Sequence, residues 1–266
     1  MPQTIYLDPA HRETAAPKTG AGNSAAIVSI THGNDRSWRS LRAISAFLVL
    51  FFLSLSVFSA GTDTLSNEEA VDGLKQALAQ SITVATSKLA TGNGFLGNAG
   101  VRIPLPRSLQ KAEGVMRNFG MKKQADALII AMNRTAETAA PEAMILLVDA
   151  VRKMTVADAK GILAGDDDAA TEYFRDATAG PLAEKLLPIV RKEIAQSGLL
   201  KQLNEFIRRG VKLGLVTEKE VDVENYLTQK ILDGYFLMMA EEERAIRKDP
   251  IGQGNKLLQE VFGALK

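Results

Sequence analysis

The amino-acid sequence predicts an all-α fold, a single helical bundle of about eight to ten helices behind an N-terminal signal or anchor segment. Three observations carry this prediction. From residue 66 onward apolar side chains recur at three-and-four spacing, the period of a helix with one buried face. Capping and stopping residues punctuate that pattern, among them SNEE at 66–69, GNG at 92–94, Gly120 and Gly165. Ahead of it, residues 44–60 read ISAFLVLFFLSLSVFSA, inside a stretch with no charge between Arg42 and Asp63.

That apolar stretch follows Arg36, Arg39 and Arg42. The combination is the charged n-region and apolar h-region of an export signal, or a short membrane anchor. The uncharged run 43–62 is 20 residues long, the span of a bilayer core. It ends in the small residues Ser56, Ser59, Ala60 and Gly61, so cleavage after Ser59 or Gly61 suits a signal peptidase. Residues 1–43 are rich in Ala, Gly, Thr, Ser and Pro without an amphipathic period, and read as a disordered, basic leader. The expected location of residues 61–266 is the periplasm or another extracytoplasmic space. The alternative is inner-membrane anchoring through 44–60 with the domain outside.

The export boundary removes whole classes of chemistry. His11, His32 and Trp38 all precede it, and the chain has no cysteine. Residues 61–266 therefore hold no Ser-His-Asp triad, no Cys nucleophile, no His acid or base and no disulfide. The usual zinc, copper and haem ligand sets are missing too, so no metal and no cofactor is expected. The same residues carry 27 basic and 28 acidic side chains, a balance that does not attract nucleic acid. Their six Phe and three Tyr sit beside aliphatics at core spacing and form no stacking platform.

The domain at 66–266 reads as helix after helix. Ser66 and Glu69 make a capping box, opening a helix with Val71, Leu74, Leu78, Ile82, Ala85 and Leu89 on one face. Residues 95–106, FLGNAGVRIPLP, are the one extended segment, and Pro104 and Pro106 forbid a central strand there. Pro106 or Arg107 starts a second helix with Leu109, Ala112, Met116 and Phe119 inward, stopped by Gly120. A third helix spans 122–140, and Pro141 breaks or restarts it into a fourth reaching Met154. TVAD at 155–158 caps a short fifth, which Gly165 ends. Asp166, Asp167 and Asp168 cap the next, which carries Tyr173 and Phe174. Further helices follow at 181–196, 199–214, 223–248 and 255–265. The middle of 223–248, ILDGYFLMMA, is apolar all round and marks the central helix, with Gly234 allowing close helix approach.

Several blocks resemble a bacterial family catalogued as a domain of unknown function, number 4197. They are GFLGNAGVRIPLPRSLQK (94–111), MNRTAETAAPEA (132–143), DAKGILAGDDDAATEYFRDAT (158–178), YLTQKILDGYFLMMAEEERAIRKDP (226–250) and LLQEVFGALK (257–266). The resemblance runs from about Glu69 to the C-terminus and leaves the first 60 residues outside. It implies an exported helical domain, implies no activity, and singles out Asn133 in the MNR block.

Four residues are the candidate binding site: Asn133, Arg134, Glu137 and Asp233. The first three lie at helical spacing on an Ala- and Ile-rich helix, where they line a pocket or form an internal network that fixes helix register. Asp233 interrupts the apolar block, so a buried carboxylate there needs a partner, with Lys230, Arg134 and Arg175 in question. Asp166, Asp167 and Asp168 lack the alternating oxygens and distal Glu of a calcium loop, which favours capping over metal binding. Glu241, Glu242 and Glu243 followed by Arg244, Arg247 and Lys248 read as a solvated helix end, and Arg208, Arg209 and Lys212 as a small basic patch. The functional expectation is a non-enzymatic binding or scaffold module of the bacterial cell envelope. Its expected partner is a protein, peptide or lipid, with membrane association through 44–60 left open. The alternative is an enzyme using carboxylate, Arg or Asn chemistry.

Overall fold

The computed structural model describes residues 65–216 and 221–264, and its secondary structure is entirely helical there. The basic leader and the apolar segment 44–60 lie outside the described residues. Among the described residues eight helices occur, in the order α1 (Asn67–Leu89), α2 (Arg107–Asn118), α3 (Lys122–Lys153), α4 (Ala159–Leu163), α5 (Ala169–Ser197), α6 (Leu199–Lys212), α7 (Val223–Lys248) and α8 (Lys256–Gly263). No described helix is long and apolar enough to cross a membrane.

The capping box forms as its spacing requires. Ser66 Oγ accepts from the Glu69 N–H at 3.1 Å, and Glu69 returns the bond to the Ser66 N–H at 2.8 Å. Leu74, Leu78, Ile82, Ala85 and Leu89 are buried along α1, while Val71 is half-buried at the edge of that stripe. Gly120 takes φ 76° after α2 and Gly198 φ 71° after α5, left-handed positions that end each helix at no steric cost.

The core is organised on α7. It packs most extensively along α1 and α5, and α3 lies against α5, α1 and α6. Ile231, Leu232, Tyr235, Phe236, Met238 and Met239 are all buried, as expected of a central helix. One stripe still leads outward, through Tyr226, Lys230, Asp233 and Leu237. Asp233 is therefore exposed rather than buried, and it pairs with Lys230 at 2.8 Å. The close approach at Gly234 is to a ring, not to a helix. A Cβ there would stand 2.8 Å from Cε1 of Phe95.

The proline expectations are corrected in the same direction twice. Pro141 lies inside a continuous α3, and Pro181 and Pro188 lie inside a continuous α5. All three prolines are exposed. Each leaves one carbonyl four residues back without its N–H partner. On α5 those carbonyls belong to Ala177 and Glu184, which are themselves exposed, so water can serve them. Buried side chains on the opposite face hold the helices continuous past the prolines: Ala139, Ala140, Ala143 and Leu147 on α3, and Phe174, Leu182, Leu186, Val190 and Ile194 on α5.

Two smaller expectations also change. Phe119 is 71% exposed, because α2 ends at Asn118 and the chain turns away through Gly120. Residues 95–101 are turns rather than extended chain, and only 102–106 run extended, without a partner strand.

Candidate functional site

The sequence-predicted residues on α3 do converge, but on protein. Asn133 is fully buried. Its Oδ1 accepts from the Ile103 N–H at 2.9 Å, and its Nδ2 donates to the Ile103 carbonyl at 2.9 Å and to the Ile129 carbonyl at 2.8 Å. The carboxamide thus does for Ile103 what a neighbouring strand would do, satisfying both backbone groups of a buried extended residue. One turn on, Glu137 is 5% exposed. Its Oε1 accepts from the N–H groups of Phe95 (3.2 Å) and Leu96 (3.1 Å), and its Oε2 from Arg134 at 2.6 Å. Arg134 reaches on to Asn93 Oδ1 at 2.8 Å, across the left-handed turn at that residue (φ 71°).

The same loop is held from its other side by α7. Tyr226 donates to the Pro104 carbonyl at 2.8 Å, and the Phe95 ring fills the space above Gly234. Asn133, Arg134 and Glu137 therefore clamp residues 93–103 to the bundle. Asp233 is not among them: it lies on the outward stripe of α7 with Lys230. Arg175, the other partner considered for it, pairs with Glu172 and stacks 5.1 Å over the Phe236 ring.

A second polar centre was missed. Glu243 is 1% exposed, not part of a solvated helix end. Its Oε1 accepts from the Ala170 N–H at 3.0 Å, and its Oε2 from the Thr171 N–H at 2.8 Å and hydroxyl at 2.7 Å. Arg247, one turn later, holds Oε1 at 2.9 Å and donates to the Leu163 carbonyl at 2.7 Å. The carboxylate sits at the N-terminus of α5 and the guanidinium at the C-terminus of α4, each opposite the partial charge of that helix end. Arg247 also lies 5.4 Å over the Phe262 ring of α8. The Asp166–168 run therefore does not cap α5 through its side chains. Asp168 pairs with Arg244 instead, and the capping carboxylate comes from α7. A sequence signal for Glu243 existed. Met239, Glu243 and Ile246 continue the buried stripe of α7 at helical spacing.

No cluster of three or more His, Cys, Asp or Glu able to hold a metal ion occurs among the described residues. An open concavity lies elsewhere among the described residues, where the C-terminal end of α3 meets the middle of α5. It has a volume of about 330 Å³, at the small end of the range for ligand pockets. Its apolar surface comes from Ala150, Met154, Ala177, Pro181 and Leu182. Its polar rim comes from Asp149, Lys153 and Lys185, with Thr155, Tyr173 and Thr178. Tyr173 donates to the Thr155 carbonyl at 3.0 Å, fixing the turn after α3 against α5. Lys153 pairs with Asp149 at 2.8 Å and holds that carboxyl below the usual carboxylate range, helped by Lys185 and Arg152.

No curated protein and no solved structure matches the chain. A family model does, over residues 64–263, and it spans the whole described bundle with both of its polar centres and the cleft. The chain belongs to that family, described as Protein of unknown function (DUF4197).

Proposed function

We propose that the helical unit is a non-enzymatic binding or scaffold module of the bacterial cell envelope, and that it binds through the cleft between α3 and α5. The observation that supports this reading is how the polar side chains are used. Asn133, Glu137, Glu243 and Arg247 spend their hydrogen bonds on backbone groups and on the side chains of Arg134, Thr171 and one another. The cleft instead presents polar groups, those of Asp149, Lys153, Thr155 and Lys185 among them, together with an apolar surface in one concavity. The alternative of carboxylate, Arg or Asn catalysis needs Asn133, Arg134, Glu137 and Asp233 at one site, and Asp233 stands apart from the other three. The envelope assignment rests on the arginines and apolar run at 36–60.

Both halves can be tested in cells. The chain has no cysteine, so Lys185→Cys introduces a single thiol on an exposed face. A membrane-impermeant maleimide should label it once the outer membrane alone is opened. Labelling only after full lysis would end the envelope reading. A photocrosslinking residue at Ala177, in the cleft, should give a defined adduct in vivo that the same residue at exposed Gln229 of α7 does not. Equal adducts at both positions would end the cleft reading.

A further inference from the structure

The chemistry of the cleft narrows what it takes. Lys153 and Lys185 outnumber Asp149 on its rim, and Lys153 is already shared with Asp149. The Lys185 ammonium is in no hydrogen bond or close ion pair with the described residues, and its charge acts on Asp149 only from a distance. The C-terminal end of α3 carries partial negative charge of its own. Arg152 and Lys153 in its last turn oppose that charge, and Lys75 of α1 donates to the Arg152 carbonyl at 3.2 Å. The balance at the mouth is therefore cationic.

The wall opposite is apolar but not sealed. Pro181 has no N–H, so the Ala177 carbonyl in the same wall lacks its helical donor. Met154 also lines the cleft, at 7% exposure, with a flexible thioether, a side chain that adapts to irregular apolar shapes. A ligand that suits the ammonium and the apolar lining has one negative group for Lys185 and a short apolar body for Ala150, Met154 and Leu182, and leaves the Ala177 carbonyl to water.

Resting on the binding-module reading above, we infer that the α3–α5 cleft binds a small monocarboxylate with a short apolar tail. Lys185 anchors the carboxylate and Met154 receives the tail. A free aliphatic acid and the C-terminus of a peptide ending in an apolar residue share this chemistry.

The test uses the full chain in lipid nanodiscs, with its methionines carrying ¹³C methyl groups. Of the eight methionines, Met154 is the one that lines the cleft. Hexanoate should shift the Met154 methyl resonance and leave those of Met116 and Met239, buried elsewhere, in place. Hexylamine and hexanol should not. N-acetyl-Ala-Leu and its C-terminal amide form the peptide arm: shifts with hexanoate alone indicate a free acid, and shifts with the peptide acid but not its amide indicate a peptide end. In Lys185→Glu the affinity for whichever carboxylate binds should fall by about tenfold or more, the scale of one lost charge-assisted hydrogen bond. Equal shifts from hexylamine or hexanol would overturn the carboxylate inference while leaving the cleft a binding site. Silence of Met154 with every probe would overturn it too. The site-selective adduct at Ala177 would then decide separately whether the binding-module reading survives.

Discussion

The Asn133 carboxamide pairs with both backbone groups of Ile103, accepting its N–H and donating to its carbonyl, each at 2.9 Å. A single side chain thus replaces a strand neighbour for a fully buried residue in the segment before α2. The third bond, to Ile129, fixes the amide on its own helix.

Asn133→Ala leaves the Ile103 N–H and carbonyl buried without partners. The expected loss is about 1–3 kcal/mol of stability, the usual range for a stranded buried polar group. Urea denaturation of the variant reads it directly. An unchanged midpoint would mean that the segment relaxes to water.

Glu243→Gln keeps the shape but removes the charge that Arg247 faces. Breaking a buried pair costs about 3–5 kcal/mol, whereas exposed substitutions stay within about 0.5 kcal/mol. Glu242→Gln, one residue away and only half-buried, is the control. Chemical denaturation of the two variants side by side should separate them clearly. Similar midpoints would contradict the role given to Glu243.

Gly234→Ala drives a methyl toward the Phe95 ring, which is fully buried and has nowhere to retreat. Overpacking of this kind costs about 1–3 kcal/mol. Trimming the ring in Gly234→Ala/Phe95→Leu should recover part of that loss. A double variant no better than the sum of its singles would place the strain elsewhere.

Pro188→Ala should stabilise the protein. It restores an N–H that can donate to the exposed Glu184 carbonyl inside α5. A helix-interior proline costs about 3 kcal/mol relative to alanine, less about 0.4–1 kcal/mol for the freedom the unfolded chain regains, leaving a gain of about 2 kcal/mol. Calorimetry should show a higher Tm, and a lower one would mean that α5 is bent to suit its proline.

Tyr235 supplies a pH dependence. Burial pushes its phenol up to about 12, against a smaller opposing effect of the Thr86 hydroxyl at 3.0 Å. The folded state thus holds the proton more tightly than the unfolded chain, where the phenol titrates near 10. This contribution is whole below the unfolded value and is lost as pH rises through that window to the folded one. Stability should fall across this range in the parent and fall less in Tyr235→Phe, as followed by denaturation at stepped alkaline pH. Identical slopes would rule the phenol out as the cause.

The helices were legible because their apolar positions and caps repeat, and the capping box at Ser66 and Glu69 forms with both of its bonds. The prolines misled because all three are exposed, and on α5 the carbonyls left without a donor belong to exposed residues that water can serve. Asp233 misled because ILDGYFLMMA looks apolar all round, whereas Tyr226, Lys230 and Asp233 trace a seam leading out. Glu243 was hidden inside a charge run whose neighbours Glu241 and Arg244 are exposed. The Asn133 cluster was found by type, but the backbone groups of Ile103, Phe95 and Leu96 that it satisfies lie thirty or more residues away, which no local pattern reports. The cleft carried no signal at all. Asp149, Lys153 and Lys185 are ordinary surface charges until α5 is laid against α3.

The side-chain pairing of Ile103 has a consequence for how these molecules behave in a crowd. An extended segment with open backbone groups is a template on which a second chain can add a strand, and so begin an aggregate. Here the carbonyls of Ile103, Pro104 and Leu105 are already taken by Asn133, Tyr226 and Gln110. Pro104 and Pro106 have no N–H to give, and that of Ile103 is occupied. Leu105 alone among these four could offer a bond to a neighbour, too little to seed a sheet.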